Sequence, residues 1–144
     1  GEAVFGHASF SIQVDGQPID VLFDTGASII LSKEGKRALH TEAQTLAGSF
    51  IARSIFDLWH AKHPAWPYYP SAGMGGDLIE VPEVVSGVDT VGPVLFASRK
   101  DENWSQGMIG TMDRVVKGAL GGSALQYFKV TLDYRSELIR FERK

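Results

Sequence analysis

Phe10, Ile12 and Val14 alternate with Ser11 and Gln13, so apolar side chains fall on one face of an extended segment. This period of two predicts a half-buried β-strand. Asp15-Gly16 follows, a pair suited to a tight hairpin turn, and Pro18 to Phe23 forms the return strand. Val4-Phe5-Gly6 predicts a further short strand ahead of the hairpin. The alternation then gives way to Val21-Leu22-Phe23, which runs straight into Asp24-Thr25-Gly26-Ala27, and Ile29-Ile30-Leu31 follows. A buried strand thus delivers one carboxylate to a tight turn. Apolar flanks of that kind are expected to make Asp24 expensive to ionise, because desolvation disfavours the charged form. The Thr25 hydroxyl can hold neighbouring backbone, and Gly26 lets a second backbone approach or adopts a positive φ.

A helical period comes next. Lys33 to Leu39 has helical composition, with Ser32 as its N-cap. Thr41 is the next cap candidate, and Leu46, Ala47, Phe50, Ile51, Ser54, Ile55 and Leu58 recur at helical spacing. The stretch over about 33–62 therefore reads as helical, its apolar stripe packed on a sheet or else forming a dimer contact or substrate wall. Pro64, Pro67 and Pro70 end it and impose extended structure. Trp66, Tyr68 and Tyr69 either pack that helix on the sheet or line a groove. His60 and His63 could share a metal only if helical, and the sequence offers no third ligand, so no metal site is expected.

Gly73-Met74-Gly75-Gly76 then interrupts two strand-like segments, which predicts a hairpin over about 70–81 with a mobile tip. Val84 to Val88 and Val91 to Phe96 are apolar, β-branched and broken by Gly and Pro, as strands are. Arg99 to Gln106 reads as a charged loop, followed by Met108-Ile109-Gly110. Ala119-Leu120-Gly121 leads into a short helix carrying Ala124, Leu125 and Phe128, and a closing hairpin follows with its turn at Asp133-Tyr134-Arg135-Ser136.

Composition narrows the function classes. The 144 residues suffice for one domain with a real core, and 44% hydrophobic with 22% charged residues is ordinary for a globular chain. A net charge of −3 carries no electrostatic footprint for nucleic acid. No apolar run approaches the ~18 residues that span a membrane. The absence of cysteine removes disulfides and thiolate metal sites without fixing the compartment. A chain that opens on Gly1 without a signal peptide reads as a mature form or as a domain, conceivably extracytoplasmic, of a longer protein.

Three of these segments together resemble the aspartic proteases. Val21-Leu22-Phe23-Asp24-Thr25-Gly26-Ala27 is similar to their active-site loop, an apolar lead followed by D-T-G-S/A. Gly73-Met74-Gly75-Gly76-Asp77-Leu78-Ile79-Glu80-Val81 is similar to the retropepsin flap, and Ala119-Leu120-Gly121 to the hydrophobic-hydrophobic-glycine segment that passes the active-site loop. The motifs stand in the family's order; the likeness is weakest over 33–70 and 98–117, and viral retropepsins carry no comparable helix between loop and flap. The resemblance implies a mainly β, retropepsin-like acid-protease lobe over 1–144: a closed, orthogonal β-barrel with a helical insertion after the active-site loop and a short C-terminal helix. It implies an aspartic endopeptidase in which Asp24, Thr25 and Gly26 form the catalytic turn. Ala27, Gly73, Met74, Gly75 and Gly76 would face a peptide or protein substrate. Water is the nucleophile, so no cofactor is expected.

The mechanism needs two carboxyls, which at about 3 Å cannot both ionise and so share a proton. The chain holds a single D-T-G; Asp89-Thr90 is followed by Val91, and Asp77, Asp101, Asp113 and Asp133 lack the apolar-turn context. The expected solution is a homodimer with Asp24 from each subunit. One lobe of a longer two-lobed protease, or a non-catalytic dimerisation or peptide-binding module, are the alternatives. Ala27 replaces the family's Ser and removes a hydroxyl, so activity is expected to reach milder acidity than in D-T-G-S enzymes.

Overall fold

A computed structural model describes residues 2–5, 9–24, 26–87, 89–101, 116–133 and 138–144. Strand β1 is Glu2–Phe5, and the first hairpin joins β2 (Ser9–Val14) to β3 (Gln17–Phe23). Its turn residues, Asp15 and Gly16, have φ of 57° and 72°. Two successive positive values make the turn whose twist matches the flanking strands, and Asp-Gly adopts it readily. As the alternation requires, Phe10, Ile12 and Val14 are buried while Ser11 and Gln13 are exposed.

After Asp24 the chain makes a closed excursion. Strand β4 (Ser28–Ile30) leads out through Leu31 and Ser32 to helix α1 (Lys33–Ala38), and β5 (Thr45–Ala47) returns antiparallel to β4. The excursion ends where it began, since the Gly48 N–H donates to the Ala27 carbonyl at 3.2 Å. Ser32 caps α1 as expected, its Oγ accepting the Gly35 N–H at 2.9 Å. Thr41 starts no helix; its hydroxyl accepts the Ala43 N–H in a local turn.

The second helix predicted from the stripe beginning at Leu46 is instead two strands and a later helix. Strand β6 (Ser49–Ala52) precedes helix α2 (Arg53–Lys62). Phe50, Ile51 and Ala52 lie in a central strand between two neighbours, and such a strand is apolar at consecutive positions, which also satisfies a helical stripe. Ala52 cannot cap α2, so Asp101 does so from a distance, Oδ1 accepting the Ser54 N–H at 3.0 Å. Trp59 meets Phe96 at 5.2 Å and Trp66 at 6.4 Å, and Phe56 meets Tyr68 at 6.1 Å, all edge to face. Trp66 and Tyr68 therefore tie α2 to the sheet. His63 lies flat on Trp66 and its Nε2 meets Asp15 Oδ2 at 2.5 Å, while His60 stacks on Tyr68 at 4.0 Å. The two histidines are thus engaged separately.

The remaining elements are β7 (Tyr68–Gly73), β8 (Gly76–Val81), β9 (Val84–Ser86), β10 (Asp89–Val91), β11 (Val94–Arg99), β12 (Gly118–Leu120), helix α3 (Gly122–Leu125), β13 (Phe128–Asp133) and β14 (Leu138–Arg143). The loop expected after Arg99, including Met108-Ile109-Gly110, and the turn expected after Asp133 lie almost wholly outside the described residues. Nine strands form one sheet in the order β10-β9-β2-β3-β12-β6-β11-β8-β7, and β1-β14-β13 form a second. The fold is mainly β with a short C-terminal helix. Among the described residues the large sheet has edges at β10 and β7, so the expected closed barrel is an open one. At its centre β6 runs parallel to β11 and antiparallel to β12, and β12 runs parallel to β3. Phe10, Val21, Ile51, Phe56, Ile79, Phe96 and Leu120 fill the main core. At about 1.5–3 kcal/mol for each fully buried large side chain, this cluster is the principal stabilising element. A smaller cluster of Ile29, Leu31, Ala72, Leu78 and Ala97 joins the excursion to the β7–β8 hairpin.

Candidate active site

Asp24 stands just beyond β3, where the chain turns into the excursion. Its N–H donates to the Leu120 carbonyl at 3.0 Å, extending the β3–β12 pairing by one bond. Its Oδ1 accepts the Gly26 N–H at 3.1 Å, and its carbonyl accepts the Ala27 N–H at 3.2 Å. The carboxylate is exposed, contrary to the burial expected from its apolar flanks. Val21 takes the core-facing position and Phe23 is half-buried, so the strand is spent by residue 24 and the turn lifts the acid into solvent. Ala27 is buried and Gly26 exposed. Thr25 lies outside the described residues.

Gly121 is where three backbones cross. A Cβ there would collide with the Gly48 carbonyl and come within 2.6 Å of Ala27 Cβ and 3.0 Å of the Asp24 carbonyl. Only glycine leaves that space open. The same crossing carries two buried hydroxyls that the sequence did not single out: Ser49 Oγ accepts the Gly121 N–H at 3.0 Å and lies 2.8 Å from Ser123 Oγ. The one clue to Ser49 is a hydroxyl opening an otherwise apolar central strand.

The glycine-rich hairpin is present, with Met74-Gly75 at its tip and Gly75 at φ +89°. Its tip is bonded down, a difference from the free tip expected of so many glycines. The Met74 N–H donates to the Ile30 carbonyl at 2.8 Å, the Ser32 N–H to the Ala72 carbonyl at 2.9 Å, and the Ser32 hydroxyl to the Ser71 carbonyl at 2.6 Å. Gly76 serves close packing, because a Cβ there would lie 2.7 Å from the Ser98 carbonyl. Met74 and Ile30 stand side by side, 63% and 57% exposed.

Asp77, two residues past the tip of this hairpin, is the most heavily coordinated carboxylate in the region. Oδ1 accepts the Ser71 N–H at 2.7 Å, and Oδ2 accepts the Arg53 guanidinium at 2.7 Å and the Tyr68 hydroxyl at 3.4 Å. Burial alone would raise its pKa; the Ser71 amide and the Arg53 charge outweigh burial and hold the carboxyl below its ordinary range. The same bond to Asp77 raises Arg53 above its usual value.

A cleft of about 410 Å³, with none of the turn residues 24–27 in its lining, is bounded by Leu46, Ala47, Pro93, Leu95, Gly122, Ser123, Gln126 and Tyr127. Among the described residues Glu80 is the only carboxylate in its lining. Burial, and after it the Glu80 charge, pushes the phenol of nearby Tyr69 up. Among the described residues no group of three or more His, Cys, Asp or Glu side chains could hold a metal. Nor is any helix among them long and apolar enough to cross a membrane.

Comparison with known proteins places the fold. The structure is similar to the crystal structure of a retropepsin-like aspartic protease from Rickettsia conorii, with a TM-score of 0.58 and 16% sequence identity over 98% of this chain and 90% of that one. The architecture is therefore retropepsin-like. No protein-family model matches the sequence, and a search of curated proteins returns no match.

Proposed function

We propose that this chain is one subunit of an aspartic endopeptidase, with Asp24 from each of two copies forming the carboxyl dyad. The observation that carries this reading is the crossing at Gly121, where the Leu120 carbonyl takes the Asp24 N–H and Gly121 abuts the Asp24 carbonyl. A carboxylate that is exposed in the single chain yet fixed in its backbone suits a group completed by a partner. In the dyad one carboxylate takes a proton from the attacking water while the other carboxyl protonates the scissile carbonyl oxygen. The acids then exchange roles as the tetrahedral intermediate collapses, and because water is the nucleophile no acyl-enzyme forms. Gly26 buttresses the turn by donating its N–H to Asp24 Oδ1. Met74 and Gly75, exposed at the hairpin tip, face the substrate, an extended peptide bound partly by strand addition. The expected Ala27 and Gly73 are buried and Gly76 packs on Ser98, so these three support the site from beneath.

Cleavage of a mixed peptide library across pH tests this, with Asp24→Asn, a statine-type transition-state mimic and the solution mass measured in the same samples. Cleavage that rises with the dimer population and vanishes in the variant is expected. A folded monomer without cleavage would point to a separate partner lobe, and an inactive folded dimer to a peptide-binding module.

A further inference from the structure

We infer that Ser49 is a positioning residue for the Asp24 turn, acting through Gly121; its kinetic consequence rests on the reading of Asp24 as the reactive group. Ser49 is 0% exposed and Ser123 6%. The Ser123 hydroxyl donates to the Leu95 carbonyl at 2.8 Å, which uses its single proton. Ser123 Oγ can then only accept in its 2.8 Å contact with Ser49, so Ser49 donates to it. Ser49 Oγ in turn accepts the Gly121 N–H at 3.0 Å. The result is a directed chain, from the Gly121 N–H through both hydroxyls to the Leu95 carbonyl on β11, in which each bond polarises the next.

Three features separate this chain from ordinary filling of the core. An apolar residue of similar size would fill the position of Ser49 without needing any partner, and buried hydroxyl pairs contribute little net stability over apolar replacements. What the pair adds is a fixed distance between β11 and the Gly121 amide. Gly121 sits directly after Leu120, the acceptor for the Asp24 N–H, and its α-carbon faces the Asp24 carbonyl and Ala27 Cβ. A shift of Gly121 therefore bears on both the N–H and the carbonyl of Asp24. Gly48, the residue before Ser49, is also the one whose N–H closes the excursion on Ala27, so Ser49 fixes the crossing from two sides.

The test compares Ser49→Ala with Ser123→Ala in the full chain, reading amide exchange and backbone chemical shifts as well as kinetics. Ser123→Ala leaves Ser49 able to accept the Gly121 N–H. In Ser49→Ala, exchange at Gly121 should rise about tenfold or more and the Asp24 and Gly26 amide signals should move. The kcat should fall about 10–100-fold with KM within about twofold, the scale expected when a reacting group is misplaced. Ser123→Ala should lose only about two- to fivefold in kcat, one step removed from the amide. Equal kcat losses in both variants, tracking their losses of stability, or unmoved Asp24 and Gly26 signals would overturn the positioning role. If Ser49→Ala fails to fold, Ser49→Cys, with its weaker acceptor, should give the same signal changes at reduced size. Moved signals in a protein whose parent shows no cleavage would uphold the positioning and defeat the reading of this chain as a homodimeric protease.

Discussion

Asp24 and Asp77 show what two carboxylates of the same chain are built to do. Each accepts a nearby main-chain N–H, from Gly26 at 3.1 Å and from Ser71 at 2.7 Å. There the likeness ends. Asp77 adds a guanidinium and a phenol, and its own N–H donates to Ser98 Oγ at 3.1 Å, so its charge is consumed in joining β7, β8, α2 and β11. Asp24 has its backbone held by Leu120 and one oxygen held by Gly26, while the carboxylate faces solvent. A carboxylate surrounded by donors is a structural fastener; one with a rigid backbone and an open face is available for chemistry.

The sharpest way to break this comparison is to exchange each acid for a neutral residue. Asp24→Asn should lower kcat/KM by about 10²–10⁴, the range for removing a general acid–base group, with the urea midpoint of the folded chain unmoved. An equal loss of stability would make Asp24 a second fastener. Gly121→Ala should come next, costing about 3 kcal/mol or more in urea unfolding, because the new Cβ meets backbone that cannot yield.

Asp77→Ala should cost about 1–2 kcal/mol by the same measurement, a figure reduced for solvent screening because the Arg53 side chain is 44% exposed. It should leave kcat/KM changed by less than its stability loss implies. The pH dependence follows from the lowered Asp77 value. Its contribution is fully present above the unfolded-chain value of 3.8 and is lost as pH falls through the lower folded value. Urea midpoints should therefore fall on acidification below about pH 4 in the parent and fall less in Asp77→Asn. The smallest effect concerns Glu80, which has no cation paired with it among the described residues. If the cleft receives a substrate side chain, Glu80→Gln should erase a preference of about two- to fivefold for Lys or Arg in a positional peptide library.

The difference between the two acids also marks what could be read from the sequence. The Asp24 turn was legible because its parts are contiguous: an apolar strand, an acid and a glycine. Gly121 was legible from two apolar residues ahead of it, and the β2–β3 hairpin from alternation closed by Asp15-Gly16. Ser32 declared itself as a cap because a cap acts on residues next to it. The Asp77 clasp was not legible, since Arg53 lies 24 residues away and Ser98 on another strand. Asp101 reaches its helix end from 47 residues away. Strand β6 was misread because a strand covered on both sides loses the alternation that identifies strands. The hairpin glycines were read as freedom, and at Gly76 they serve contact with Ser98. Local chemistry is written locally; fasteners between distant segments are written only in the fold.

The bond between the Gly48 N–H and the Ala27 carbonyl has a consequence for how such a chain changes over time. Because residues 28–47 leave and rejoin the chain at one point, they form a cassette that varies together with the β7–β8 hairpin, to which Ile29, Ile30, Leu31 and Ser32 hold it. Closing a loop there costs entropy that grows only logarithmically with length, about 0.6 kcal/mol per doubling. A lineage can therefore lengthen, trim or replace this cassette, and with it the surface at Ile30 and Met74, while the geometry beneath it stays fixed. New recognition would be acquired by grafting at this junction, with no redesign of the acid it adjoins.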